Sequence, residues 1–231
     1  MNIHEQQTDR RDSCICPLCD SSETDVFGRR TDRVFRKCTG CDLIFVPGEF
    51  HLTPDKELAH YRNHQNRLDD PDYRTFLNRL ARPVSEQLRH PSQGLDYGCG
   101  PVPVLADLLS ALGHDVKGFD PWFAPAPELC EQTFDFVVCS ETAEHFRCPS
   151  VDFGILRRLL RPGGWLGIMT QRPPVSDSPS QSFLNWYYQR DPTHVAFYSE
   201  RTFQWIADLW NARLQIVSDS VVLLQAPGGA H

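Results

Sequence analysis

The spacing of apolar residues changes along this chain, and each change predicts an element. Between residues 55 and 90, Tyr61, Leu68, Tyr73, Phe76, Leu77, Leu80, Val84 and Leu88 recur at helical intervals. The break at Asp70-Pro71-Asp72 splits this stretch into two helices. Beyond residue 90, short apolar runs alternate with helical patterns. Leu95-Asp96-Tyr97 reads as a strand, and Val104 to Leu112 as an amphipathic helix stopped by Gly113. Asp115 to Phe119 makes a second strand, and Phe134 to Cys139 is an apolar run suited to a strand buried on both faces. Leu160 to Ile168 reads as a helix end, a Pro-Gly-Gly turn and a further strand. Ser199 caps a helix from Glu200 to Trp210 that turns Phe203, Ile206, Ala207 and Trp210 inward. Leu214–Val217 and Val221–Leu224 form a closing hairpin. Strands alternating with helices imply an α/β fold, a doubly wound and mostly parallel sheet.

Ahead of this region the pattern differs. Val26-Phe27-Gly28, Arg33 to Lys37 and Leu43 to Val46 are short strand candidates, and residues 47–54 are a turn-rich linker. The chain therefore divides into a flexible N-terminus (1–13), a small module (14–46), a linker with N-terminal helices (47–90) and a main domain (91–225).

Composition narrows the class. The chain has 231 residues, 40% of them hydrophobic, which supports a real core. No apolar run approaches the ~20 residues that span a bilayer, and the polar start lacks a signal-peptide core. The net charge of −7 argues against nucleic acid as a partner. Nine cysteines, an odd count, with four paired by spacing, suggest metal binding in a reducing cytoplasm.

Those four are Cys16-Pro17-Leu18-Cys19 and Cys38-Thr39-Gly40-Cys41, two C-x2-C turns with eighteen residues between them. Each turn points two thiolates at one tetrahedral ion, so Cys16, Cys19, Cys38 and Cys41 are the candidate ligands of a structural Zn2+. With strands between and after the pairs, the module reads as a zinc ribbon. Its core is too small to fold alone without the metal. The competing reading is a redox dithiol, and Cys14 competes with Cys16 as a ligand. The hairpin carries Arg29, Arg30, Arg33, Arg36 and Lys37. These could contact a substrate phosphate or form a solvated face, and the acidic balance of the chain favours the solvated face.

The chemistry of the main domain begins at Asp96-Tyr97-Gly98-Cys99-Gly100. Two glycines let the backbone approach a ligand closely, and the helix beyond offers free N–H groups to an anion. The third glycine of G-x-G-x-x-G is absent. Val102 and Pro103 stand where a dinucleotide site wants small residues, which argues against a nicotinamide cofactor. Asp120 follows about twenty residues later, the spacing at which a carboxylate meets ribose hydroxyls.

This order of landmarks, with Glu141-Thr142-Ala143-Glu144-His145 after the buried strand and Leu160-Arg161-Pro162-Gly163-Gly164 later, resembles the class I S-adenosylmethionine-dependent methyltransferases. The resemblance covers roughly residues 58–225. It implies a seven-stranded-type sheet behind the zinc ribbon, with S-adenosylmethionine as cofactor. It also implies Asp96, Tyr97, Gly98, Gly100, Asp120, Pro121, Ser140 and Glu141 as cofactor-binding residues.

Only thirteen residues, Pro121 to Thr133, separate Asp120 from the buried strand, and three prolines interrupt them. The third strand is therefore short or missing. Trp122 and Phe123 are candidates to stack on adenine. In the resemblance, Glu141, Glu144 and His145 open a helix at the carboxyl end of a central strand, and Asp191-Pro192-Thr193-His194 is a second site string. His145 and His194 are the candidate catalytic residues, one of them the base for the acceptor's proton. The stretch Gln171 to Arg190, with Phe183, Trp186, Tyr187 and Tyr188, reads as a loop closing over a substrate.

The expected function is methyl transfer to a small-molecule acceptor, such as a sugar or another metabolite. The alternatives are an RNA or protein methyltransferase docking through the basic ribbon, and a non-catalytic binding protein on a degenerate fold. His60 and His64, one helical turn apart and without a third ligand in view, read as surface residues.

Overall fold

The computed structural model describes residues 14–62 and 67–229, and His64 and residues 1–13 lie outside them. In chain order the elements are β1 (Thr24–Arg29), β2 (Val34–Cys38), β3 (Ile44–Phe45), α1 (Pro54–Tyr61), α2 (Pro71–Ser85), β4 (Gln93–Tyr97), α3 (Val104–Ala111) and β5 (Asp115–Phe119). There follow β6 (Phe134–Ser140), α4 (Pro149–Arg158), β7 (Leu160–Met169), α5 (Pro179–Asn185), β8 (Ala196–Phe197), α6 (Glu200–Trp210), β9 (Arg213–Ile216) and β10 (Val221–Gln225).

The main sheet has six strands in the order β5-β4-β6-β7-β10-β9. The first four are parallel, whereas β10 runs antiparallel to both β7 and β9. The central strand β6 explains the architecture. Phe136 and Val138 point into a cluster with Leu77, Leu80 and Val84 of α2 and Leu105 and Leu109 of α3. Val137 and Cys139 point into a second cluster with Phe153 and Leu156 of α4 and Phe203 and Ile206 of α6. Helices therefore cover both faces, and a continuous apolar run is what such a strand requires. A Cβ on Gly94 would overlap the Phe136 ring, so β4 needs glycine there to lie against β6.

Helix ends follow their sequence signals. The Asp70 side chain accepts from the Asp72 and Tyr73 amides at the start of α2. Ser199 and Thr202 form a reciprocal capping box on α6, which ends at Asn211 in the left-handed conformation (φ 52°).

The third strand is absent among the described residues. After Asp120 the chain makes one bridge to Ala124 and a 3-10 turn at Pro127–Glu131, and then enters β6. The prolines leave too few backbone donors and too little length for another strand, so β5 ends the sheet.

The second sheet is antiparallel, in the order β1-β2-β3-β8. Its fourth strand, β8, comes from far along the chain and pairs Ala196 with Phe45 and Phe197 with Ile44. Helix α5 lies on β1, with Leu184 against Gly28. Phe183 meets Phe35 and Phe197 edge-on at 5.0 and 5.1 Å. Cys16, Leu18, Cys38, Cys41, Leu43 and Phe45 belong to the same core cluster as Leu95, Leu166 and Phe203 of the main domain. The cysteine-bearing sheet and the main domain thus share one core.

Candidate active site

At the carboxyl end of β4 the chain turns through Gly98 (φ 80°) and Gly100 (φ 66°), a region that other residues enter at a cost. A Cβ on Gly98 would also collide with the Thr142 side chain. Thr142 Oγ1 lies 3.2 Å from the Gly98 carbonyl and 2.9 Å from that of Ser140, donating across the gap between the β4 and β6 loops. Asp120 fixes the other side of the turn. One carboxylate oxygen accepts from the Gly100 amide at 3.1 Å, and the other accepts from the amides of Trp122 and Phe123 at 2.8 and 2.9 Å. Four lone-pair positions on a carboxylate leave room for a ribose hydroxyl as well. Pro121 opens the turn beyond, where Trp122 is 44% exposed.

Asp96 is buried at the end of β4. Burial pushes its carboxyl up to about 7, against a hydrogen bond from the Ala106 amide in the first turn of α3, with the Asp120 charge adding to the rise. Cys99 is held up to about 12, by burial first and then by Asp96 and Asp120. Tyr97 packs on Phe119 with ring centroids 5.3 Å apart. Ser140 Oγ is buried and makes no hydrogen bond.

The turn after β6 carries the acids and the first histidine. Glu141 takes a left-handed φ of 47°, and Ala143–His145 is a single 3-10 turn rather than the first turn of a long helix. Left-handed backbone at Glu141 breaks the helical spacing expected there and turns the side chain of Glu141 back toward Tyr188. The Tyr188 hydroxyl donates to Glu144 and lies 3.3 Å from Glu141 and from Thr170 Oγ1. Burial, and then the Glu144 charge, push the Glu141 carboxyl up to about 9. Glu144 is fully buried. Glu141 Oε1 and Glu144 Oε2 are both buried without a hydrogen-bond partner.

His145 and His194 come together here, with ring centroids 4.9 Å apart. His145 Nδ1 lies 3.1 Å from the Thr193 carbonyl, and His194 Nδ1 lies 2.8 Å from that of Tyr188. A carbonyl can only accept, so each Nδ1 carries a proton, and in the neutral form of each ring Nε2 is the nitrogen with the lone pair. Burial pushes the His194 imidazole below its ordinary value, opposed by Glu144. Glu144, His145 and His194 each offer a ligand atom within 4.8 Å of the others.

The Cys16, Cys19, Cys38 and Cys41 sulfurs likewise lie within 4.8 Å of one another, with Cys16–Cys41 and Cys19–Cys38 both at 3.5 Å. A tetrahedral site with Zn–S of about 2.3 Å needs sulfurs about 3.8 Å apart. The four thiols fit zinc. Cys14 stands outside this group.

The methyltransferase domain family matches residues 59–218, most of the chain and all of the strands that build this cleft. The chain belongs to this family. It is an S-adenosylmethionine-dependent methyltransferase. Among solved structures, it is similar to magnesium protoporphyrin IX methyltransferase from Synechocystis with bound SAH, at 15% identity over 76% of this chain and 94% of that one, with a TM-score of 0.49. It is also similar to the PH0226 protein from Pyrococcus horikoshii, at 17% identity over 73% and 98%, with a TM-score of 0.48. No curated protein matches the sequence. The assignment rests on the family match.

Several residues of the methyltransferase's cleft carry no motif in the sequence. Tyr188, read as part of a covering loop, is buried between the two glutamates, and Phe183 is core, whereas Tyr187 is 62% exposed. Arg33, read as one of a solvated set, is buried. Its guanidinium donates to the carbonyls of Gln189 at 2.5 Å and His194 at 3.3 Å. Asp191 accepts from Thr193 N and Oγ1 and lies 3.1 Å from His60 Nε2. Burial raises the Asp191 carboxyl, but the Thr193 bonds and the nearby histidines hold it well below the usual carboxylate range. Tyr61 meets the His145 ring edge-on at 5.2 Å. Tyr61 stood in the helical pattern that precedes the main domain; nothing local signalled Tyr188 or Arg33.

Proposed function

We propose that this methyltransferase acts on a small-molecule acceptor bound between Tyr61, Tyr188 and the two histidines. Bound S-adenosylmethionine supplies a methyl group already activated on its sulfonium. Gly98 and Gly100 would let the backbone approach the cofactor, and Asp96 would hold its ammonium. Asp120 and Pro121 would face the ribose, while Tyr97, Ser140 and Glu141 line the remainder of that pocket. His145 and His194 would act on the acceptor, since a neutral imidazole with a bare Nε2 can take a proton or ligate a cation. The observation that carries this reading is that both imidazoles are fixed through Nδ1 to backbone carbonyls at the carboxyl end of β6, where ligands bind in such sheets.

In the same reading residues 14–46 are a ribbon with one structural zinc, residues 47–90 cover the cleft, and residues 91–225 bind the cofactor. Arg33 is buried and Arg36 is bonded to Thr24, so the two do not form an open docking patch. That favours a small acceptor over RNA or protein. Among the described residues no helix is long and apolar enough to cross a membrane. A test is turnover against a panel of hydroxylated and amine metabolites. His145→Ala and His194→Ala should each lower the rate by about 10²–10⁴ while S-adenosylmethionine still binds. Full activity in both variants would remove the histidines from the site.

A further inference from the structure

The buried Glu144 lies beside the His145 and His194 imidazoles, and it shares the Tyr188 hydroxyl with the half-buried Glu141. One oxygen on each carboxylate is buried and unpartnered. Such groups are costly unless a cation or proton satisfies them. We infer that Glu144, His145 and His194 form a second metal site, distinct from the cysteine cluster, that takes one divalent cation.

The donor set is two nitrogens and a carboxylate oxygen, the combination that suits divalent first-row ions and leaves coordination positions open. Each histidine's Nδ1–H is bonded to a backbone carbonyl, which fixes the tautomer with Nε2 as the ligating atom. The Tyr188 hydroxyl on Glu144 leaves Oε2 as the free donor. Each of the three residues has a ligand-type atom within 4.8 Å of the others, and coordination at about 2.0–2.2 Å asks for roughly 3 Å between donors. His145, the half-buried member, is the ligand with room to adjust on binding.

This inference rests on the proposed acceptor site and deepens it. The cation binds a hydroxyl oxygen of the acceptor and lowers the pKa of that hydroxyl, so its proton leaves to solvent. The oxygen forms a bond to the methyl carbon as the carbon–sulfur bond breaks, with that electron pair remaining on sulfur. The products are a methyl ether, S-adenosylhomocysteine and one proton. The substrate class is then an alcohol or phenol rather than an amine, and the imidazoles act as ligands.

The experiment uses the full chain with its cysteine site zinc-loaded, titrated with Mn2+ while the free ion is followed by electron paramagnetic resonance. Mn2+ competes poorly for thiolates, so the cysteine site stays silent. We expect one Mn2+ bound per chain. Glu144→Gln and His194→Ala should weaken it more than tenfold, with zinc content and S-adenosylmethionine affinity unchanged. If either variant fails to fold, His145→Ala, at the half-buried ligand, gives the same readout. Wild-type protein that leaves Mn2+ free, or variants that bind it as tightly, would overturn the second site. In that case retained S-adenosylmethionine binding leaves the methyltransferase reading standing, whereas loss of cofactor binding would strike the cofactor pocket itself.

Discussion

Thr142 ties the two halves of the cleft together: its hydroxyl donates toward the Gly98 carbonyl across 3.2 Å, and its side chain fills the space a Cβ on Gly98 would need. The glycine turn proposed to approach the cofactor and the acidic turn that carries His145 are therefore in direct contact. Thr142→Val keeps the shape and removes the donor. At ~1 kcal/mol for such a bond, S-adenosylmethionine affinity should fall about fivefold by calorimetry. An unchanged affinity would show that the contact is incidental.

With Asp96 in the proposed cofactor site, cofactor binding should depend on pH. Its carboxyl is raised from 3.8 to about 7 by burial, with the Ala106 amide opposing and Asp120 adding. A raised carboxyl stabilises the fold fully below the unfolded value, and that contribution is lost as pH climbs through about 7. The ammonium of the cofactor wants the ionised form. Cofactor affinity should therefore weaken as pH falls below about 7, by up to tenfold per unit, and proton uptake or release should accompany binding. Asp96→Asn should flatten both profiles. Identical slopes in wild type and variant would assign the titration elsewhere.

Arg33 reaches from the antiparallel sheet to the Gln189 and His194 carbonyls. Arg33→Ala leaves two buried acceptors with one donor group fewer, at a cost of ~1–3 kcal/mol, and loosens the segment that carries His194. Turnover should drop with little change in cofactor affinity. Arg33→Lys, with one donor centre in place of a fork, should recover only part of it. Equal loss of cofactor binding would mean that the arginine supports the whole fold.

Removal of the zinc proposed for the four cysteines should reach beyond residues 14–46. Cys38 and Cys41 share a core with β4 and α6, and β3 pairs with β8 beside His194. Cys38→Ser, or chelation, should lower the thermal midpoint of the whole chain in a single transition and reduce turnover. Two separate transitions would mark the ribbon as an independent unit.

The strands and helices were legible because burial on two faces leaves an unbroken apolar run, as in Phe136 to Cys139, and because Pro71, Ser199 and Gly113 punctuate the helices. The absent third strand was legible from Pro121, Pro125 and Pro127. The cleft was less so. Left-handed Glu141 is a backbone event with no side-chain signature, and it turned an expected helix start into a 3-10 turn. Strand β8 is two residues long, and only its partner β3 makes it a strand. Arg33 and Tyr188 looked like surface charge and loop aromatic until the fold placed the first against His194 and the second between two glutamates.

In the proposed site S-adenosylmethionine lies against the Gly98–Gly100 turn with Asp120 beside it. Calorimetric titration of wild type, Gly98→Ala and Asp120→Ala with S-adenosylmethionine tests it most directly. The expected result is one cofactor per wild-type chain, a loss of ~1–3 kcal/mol in Asp120→Ala, and no measurable binding in Gly98→Ala, whose Cβ meets both a left-handed φ and Thr142. Wild-type affinity in both variants would contradict it.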